Sequence, residues 1–339
     1  MQYRELGSTG LRVSVVGLGC AQLGSVSQTA GVAAGLRLLE QAIDEGITFF
    51  DTADIYGQGL SEKLLGRAVR SKREQVVIAT KAGYCISPMG VLARHLKPVL
   101  RRILRVRPSL TRSIQKVRAA QSQQDFSQEH LARAVEASLK RLRVDAIDLF
   151  QLHSPPAQVL ERGEVFAVLD HLKQQGKIRH YGVACLTAEH MPLALKHDGV
   201  ASVQIELNLL TPKALNAVSN LARGRKVGIV ARQIFALGLL RRSSKELQPE
   251  ECSNREEGFD QLKNKLRRLE EVAAEMHATV PELAIRFLQG TDGLSSVLIG
   301  TTSVPHLLEN LEIVARPLLD GTERRRIAEL LGISENLGT

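Results

Sequence analysis

Gly46-Ile47-Thr48-Phe49-Phe50-Asp51-Thr52-Ala53-Asp54-Ile55-Tyr56-Gly57 is the stretch on which the reading of this chain turns. Ile47 to Phe50 is a short apolar run of aromatic and β-branched residues, the mark of a strand buried on both faces. A polar turn follows at once with Asp51, Thr52, Asp54 and Tyr56, and Ser61-Glu62-Lys63-Leu64-Leu65-Gly66 then opens a helical pattern. A carboxylate at the carboxyl end of a buried strand stands where parallel α/β folds do chemistry. The plainer alternative is that Asp51 caps the turn and Tyr56 packs at its edge.

The pattern repeats on either side. Strand-like runs occur at 15–19, 47–50, 76–80, 147–152, 179–184, 201–206, 227–231 and 296–299. Amphipathic helical stretches separate them at about 32–45, 61–70, 128–142, 159–175, 188–197, 213–224, 260–289 and 304–315. Eight strands alternating with helices predict parallel βαβ units closed into a (β/α)8 TIM barrel, one domain spanning 1–339. Residues 2–15 read as an N-terminal β-hairpin around Gly7-Ser8-Thr9-Gly10, and 321–332 as a C-terminal helix. Longer segments at 82–126 and 236–259 interrupt the spacing. Gly17-x-Gly19 lacks the third glycine of a dinucleotide fingerprint, which argues against a Rossmann fold. Leu262, Leu266, Leu269, Ala273 and Met276 fall at helical spacing and read as core, with Pro281 ending the stripe.

Composition bounds the function. Apolar residues make up 44% of the chain, enough for a full core. Cys20, Cys85, Cys185 and Cys252 are scattered without paired spacing, against a zinc motif or a disulfide framework and for a reducing compartment. No signal-like or 18-residue apolar run occurs, so no integral membrane segment and a cytoplasmic location are expected. The net charge of +9 is local. No acidic residue lies between Glu74 and Asp125, and that gap holds Arg94, Lys97, Arg101, Arg102, Arg105, Arg107, Arg112, Lys116 and Arg118. Without them the chain is neutral, so the basicity is no general nucleic-acid footprint.

A barrel places functional groups just past its strands. There the chain carries Asp51 and Tyr56, Lys81, His153, Ala184-Cys185, Gln204 and Asn208, Arg232-Gln233, and Gly300-Thr301-Thr302-Ser303. His153 has no metal-ligand partner at close spacing, and no metal is expected. A tyrosine titrates near about 10. An ammonium such as Lys81, held by Asp51, would lower that value and suit Tyr56 to protonate a carbonyl oxygen, with His153 orienting the same oxygen. The set contains no reductant, so an external hydride carrier is implied.

These motifs resemble the aldo-keto reductases. The resemblance rests on Gly46 to Gly57 with Ser61, Glu62, Leu65 and Gly66, and on Ala79-Thr80-Lys81. It extends through Ile147 to His153, Gly176-Lys177-Ile178-Arg179, and Leu298-Ile299-Gly300 through Leu308-Glu309-Asn310. It implies reduction of an aldehyde or ketone with NADPH, sometimes NADH, and without metal. Tyr56 would be the proton donor, Lys81 and Asp51 would lower its pKa, and His153 would orient the substrate. The implied cofactor contacts are Asp51, Ala184, Cys185, Gln204, Arg232, Gln233, Gly238, Leu239, Gly300, Thr301, Thr302, His306 and Asn310. Ala184-Cys185 stands where the family usually has Ser-Asn, shifting the carboxamide contact towards Gln204. Arg232 replaces a frequent tyrosine, and its planar guanidinium could cover a ring. Near the cofactor's 2′-phosphate, Thr302, Ser303 and His306 offer hydroxyls, an imidazole and a helix N-terminus.

Two rival functions remain open: a sugar or polyol dehydrogenase running in reverse, and a cofactor-sensing regulatory subunit like the potassium-channel β-subunits. The insert at 82–126 also has two readings. Either it is a helical pair on the rim with a solvated basic face, or it covers the mouth and selects anionic or lipid-like carbonyl substrates. Oligomeric state is not legible.

Overall fold

In this computed structural model the described residues are 1–23, 31–86, 122–222, 226–252 and 258–333. The basic run 92–118 lies outside them, so neither reading of the insert is tested there.

The chain opens with an antiparallel hairpin of β1 (Tyr3–Glu5) and β2 (Arg12–Ser14), Tyr3 facing Ser14. The barrel strands are β3 (Val16–Gly19), β4 (Phe49–Asp51), β5 (Val77–Ala82), β8 (Ile147–His153), β9 (Ile178–Ala184), β10 (Val200–Glu206), β11 (Gly228–Arg232) and β12 (Leu294–Gly300). They are parallel neighbours in that order, and β12 pairs with β3 to close the ring. The eight-stranded expectation holds, with ends shifted by one or two residues.

Between β5 and β8 lies a feature the sequence pattern does not announce. The two ends of the insert pair as an antiparallel ladder, β6 (Tyr84–Ile86) with β7 (Ser122–Gln124). The stem of the insert is therefore strand, not helix. Two further expectations need correction. The helix expected over 159–175 is broken by Gly163, whose φ of +73° ends Ala157–Arg162 and begins Glu164–Gln174. The helix expected over 260–289 is two, Phe259–Glu275 and Val280–Gln289. Thr279 caps the second, its hydroxyl accepting from the Glu282 N–H, and Pro281 sits in its first turn. Between β11 and Phe259–Glu275 the chain makes short 3-10 turns at Ala236–Arg241, Ser244–Glu246 and Pro249–Cys252. The leucine stripe of Phe259–Glu275 is buried, as its spacing predicts.

Inside the ring, side chains recur at every second residue because a strand has period two. Phe49, Val77, Ala79, Leu149, Val230 and Leu298 form an inner apolar cluster with Leu6 and Val13 of the hairpin. The hairpin thus plugs the amino-terminal end of the barrel. Its turn sits tightly: Gly7 has φ +60°, and a Cβ there would lie 2.3 Å from the Gly228 nitrogen. Climbing each strand by steps of two leads from this plug to polar groups. Phe49 leads to Asp51, Ala79 to Lys81, Leu149 through Gln151 to His153, and Val230 to Arg232. The apolar floor and the polar mouth are successive layers of one interior.

Candidate active site

The polar layer has two tiers. The inner tier is buried and consists of Asp51, Lys81, Gln151 and Gln204. Lys81 Nζ donates to Asp51 Oδ2 at 2.6 Å and to the Thr52 carbonyl at 2.9 Å. Asp51 Oδ1 accepts from Gln204 Nε2 at 2.7 Å and from Gln151 Nε2 at 3.3 Å. Four strands converge on one carboxylate, so both charges have partners despite their burial. Burial alone would discharge Lys81. Asp51 beside it, with the Tyr56 hydroxyl, outweighs burial and holds the ammonium above the ordinary lysine value.

The outer tier is partly exposed and faces the mouth: Tyr56, Tyr84, His153 and Arg232. Tyr56 opens a 3-10 turn just beyond β4. Lys81 Nζ lies 5.2 Å from its ring centroid. His153 is held between two aromatic edges, 5.8 Å from Tyr56 and 4.9 Å from Tyr84, with both ring pairs nearly perpendicular. Burial, then Lys81 and Arg232, holds its pKa well below the usual imidazole value, so the ring is neutral at pH 7. Its Nδ1 is shut from solvent and has no hydrogen-bond partner. A buried polar atom left unpaired is costly, and it marks where a ligand group would be welcome.

One expectation is met only in part. Burial, the largest effect, lifts the Tyr56 phenol above its ordinary value; Lys81 pulls it down as expected, with Arg232, whereas Asp51 pushes it up instead of lowering it. Tyr56 therefore stays protonated across neutral pH. Lys81 moderates the cost of forming phenolate without making that form the resting state.

On the opposite side of the mouth the remaining candidates separate by what they touch. Ala184 ends β9 and is buried; Cys185 follows, its thiol pushed up to about 12 by burial and so inert. Arg232 Nη2 donates to the Cys185 carbonyl at 3.1 Å. With the Gln233 amide turned to satisfy both neighbours, its nitrogen donates to Glu206 Oε2 at 2.6 Å and its oxygen accepts from Arg232 Nη1 at 3.1 Å. The guanidinium is thus pinned, a fixed planar surface at the mouth. Gln204 has one amide N–H engaged by Asp51, which leaves its second N–H and its carbonyl oxygen to offer elsewhere.

Gly238 and Leu239 lie in the turn after β11. Gly238 has φ +94° and open space where a side chain would be, whereas Leu239 is buried in the core. At the end of β12, Gly300 is likewise open, and beyond it Thr301 Oγ1 accepts from the Ser303 N–H at 3.1 Å. Thr302 is partly exposed and His306 exposed on the segment that opens helix Val304–Ala315. Ser303 makes no side-chain cap there and the first turn holds no acidic residue, a good setting for phosphate. Asn310 is buried and donates to the His306 carbonyl of its own helix. The neutral orphaned imidazole, the pinned guanidinium and this uncapped helix end fit a nicotinamide nucleotide. Leu239 and the Asn310 amide nitrogen are engaged within the protein.

Two residues were not singled out from the sequence. Gln151 was legible in principle, since it precedes His153 by the strand period of two. Tyr84 was not, because its place depends on the β6–β7 pairing across the insert.

A family model described as the aldo/keto reductase family matches residues 15–331. The chain is 29% identical over 317 residues to an uncharacterized oxidoreductase, YqkF, of Bacillus subtilis, covering 92% of this chain and 90% of that protein. It is 26% identical over 348 residues to L-galactose dehydrogenase of Arabidopsis thaliana, covering 99% and 95%. The holo form of an aldo-keto reductase from Bacillus halodurans superposes with a TM-score of 0.77 at 27% identity, covering 97% of this chain and 96% of that one. The chain belongs to the aldo/keto reductase family and is an NAD(P)H-dependent oxidoreductase. Among the described residues no helix is long and apolar enough to cross a membrane.

Proposed function

We propose that the protein reduces the carbonyl of a small aldehyde or ketone, with Tyr56 as proton donor, His153 as orienting group and NADPH as the preferred nucleotide. The observation that carries this reading is the unpaired, buried Nδ1 of a neutral His153 beside a protonated Tyr56. The bound nucleotide supplies a hydride. Every other task falls to the chain. Arg232, Ala184 and the carbonyl oxygen of Gln204 would hold and flank the ring. Gly300, Thr301, Thr302 and His306 would receive the adenosine phosphates at the uncapped helix end.

His153, being neutral, can donate one N–H to a carbonyl oxygen without competing for its proton. As negative charge develops on that oxygen, the Tyr56 hydroxyl gives it a proton. The phenolate left behind lies next to the Lys81 ammonium, which Asp51 keeps charged. Asp51 therefore acts through Lys81 and does not itself move a proton. The same groups run in reverse would oxidise an alcohol, as the likeness to a sugar dehydrogenase allows.

The test is Tyr56→Phe, which keeps the ring packed against His153 and removes only the hydroxyl. Turnover of a carbonyl panel should fall about 10²–10⁴-fold. Nucleotide binding, followed by NADPH and NADH fluorescence, should stay within a factor of about two. Undiminished turnover would overturn the assignment of Tyr56. Tighter binding of NADH than NADPH would overturn the choice of nucleotide.

A further inference from the structure

Cys85 lies far in sequence from Asp125 and His130, 45 residues from the latter, and the stem of the insert brings it to them. Cys85 sits on β6, where the ladder faces it with Gln123. Asp125 follows β7, and its N–H donates to the Gly83 carbonyl at 3.0 Å. Its Oδ1 accepts from the Ser127 N–H at 2.8 Å, which leaves Oδ2 towards His130. His130 lies in the first turn of helix Gln128–Leu142, where its own N–H donates to the capping Ser127 hydroxyl. Cys85 Sγ is 3.5 Å from His130 Nδ1, and that nitrogen is 4.0 Å from Asp125 Oδ2. All three ligand atoms lie within 4.8 Å of one another.

We propose that Cys85, Asp125 and His130 form a zinc site that clamps the stem of the insert to helix Gln128–Leu142. In a tetrahedral zinc centre, bonds of about 2.0–2.3 Å put neighbouring ligand atoms about 3.3–3.6 Å apart. The sulfur–nitrogen pair already has this spacing, but Sγ also lies 3.8 Å from His130 Nε2, so the imidazole must turn to aim Nδ1 at the ion, and the carboxylate must close in by up to about 1.3 Å. A thiolate with an imidazole selects zinc over calcium or magnesium, which prefer oxygen alone. Three protein ligands leave a fourth position for water, and all three residues are partly exposed, so the ion has a route in.

The Asp125 carboxylate beside the sulfur and the imidazole also supplies a negative charge that favours a dication. On binding, the thiol proton leaves to solvent as the metal–sulfur bond forms. Tyr84, next to Cys85, packs edge-on against His153, so the clamp would fix one wall of the mouth. The inference does not depend on the role of Tyr56.

The experiment uses the full chain, freed of metal by a chelator under reducing conditions and titrated with cobalt(II) alone. One equivalent should produce a thiolate-to-cobalt charge-transfer band with the visible absorption of a four-coordinate ion, and zinc should displace it one for one. Cys85→Ser should abolish the band, and His130→Gln or Asp125→Asn should weaken binding at least about tenfold. On the parent chain, one equivalent of zinc should slow alkylation of Cys85 by iodoacetamide, read by peptide mass spectrometry, a result that requires no folded variant. Absence of the band, its survival in Cys85→Ser, or unchanged alkylation would each overturn the site.

Discussion

Two buried carboxylates at opposite ends of the barrel, Asp51 and Asp148, show how alike charges can differ in what they do. Asp148 stands near the start of β8. Its Oδ2 accepts from the Ile78 N–H at 2.8 Å and pairs with Arg73 at 2.8 Å, and its Oδ1 faces Arg179 at 3.4 Å. Both arginines reach water, Arg179 with half its side chain exposed. The cluster is closed: a carboxylate ties two strands and their surface arginines together, and among the described residues no buried side-chain atom of Asp148, Arg73 or Arg179 is left unpaired. Asp51, at the end of β4, is as fully bonded, but its cation is different in kind. Lys81 is 1% exposed, and its ammonium looks past Asp51 towards the ring of Tyr56. Beyond that ring stands the unpaired nitrogen of His153. Burial of the carboxylate does not distinguish the two sites. Unused bonding capacity next to the charge does.

Lys81→Met should separate them most. It strands the Asp51 carboxylate in the interior, so unfolding stability should fall by about 3–5 kcal/mol. Carbonyl turnover should drop at least about 10²-fold, because the phenolate loses its neighbouring cation. Urea denaturation and steady-state kinetics on one preparation would measure both. Asp148→Asn should show the contrasting pattern: a loss of about 1.5–3 kcal/mol from weakened charged hydrogen bonds, and kcat within about a factor of two of the parent. Equal damage to turnover by both variants would collapse the contrast.

The smallest effect concerns Asp54, between the two tiers. Burial and the Glu62 carboxylate raise its pKa to about 7, against Arg141 and Lys81. An unfolded aspartate titrates near about 3.9, so the native state holds the proton more tightly. Its favourable contribution is full below about pH 4 and is lost as pH rises through about 7. Asp54→Asn should therefore raise the melting temperature by a degree or more at pH 8, clearly less at pH 5, and not at all below about pH 4. An equal gain at pH 8 and pH 5 would show that Asp54 is not protonated in the native protein.

The ring of strands was legible because each barrel strand is a short apolar run ending in a polar turn, and Asp51, Lys81, His153 and Arg232 end such runs. The period of two inside each strand would also have put Gln151 on the face of His153, although the sequence reading did not single it out. What the pattern hid depends on contacts across sequence distance. Tyr84 reaches His153 only because β6 pairs with β7 around the insert. The break at Gly163 and the Thr279 cap were visible as residue types, but helical periodicity ran through both without a gap. The direction of the Tyr56 shift was missed for a different reason. The charges near it could be named from the sequence, but the burial that outweighs them could not be read from neighbouring residue types.

The hairpin that floors the barrel also sets a schedule. Arg4 donates to the carbonyls of Gln289 and Leu294, 285 and 290 residues downstream. Leu6 and Val13 pack against Leu298 and strands made long after them. During synthesis the hairpin thus leaves the ribosome long before its partners and is among the last elements to find its place, waiting with its apolar side chains uncovered until β12 emerges and the ring can shut.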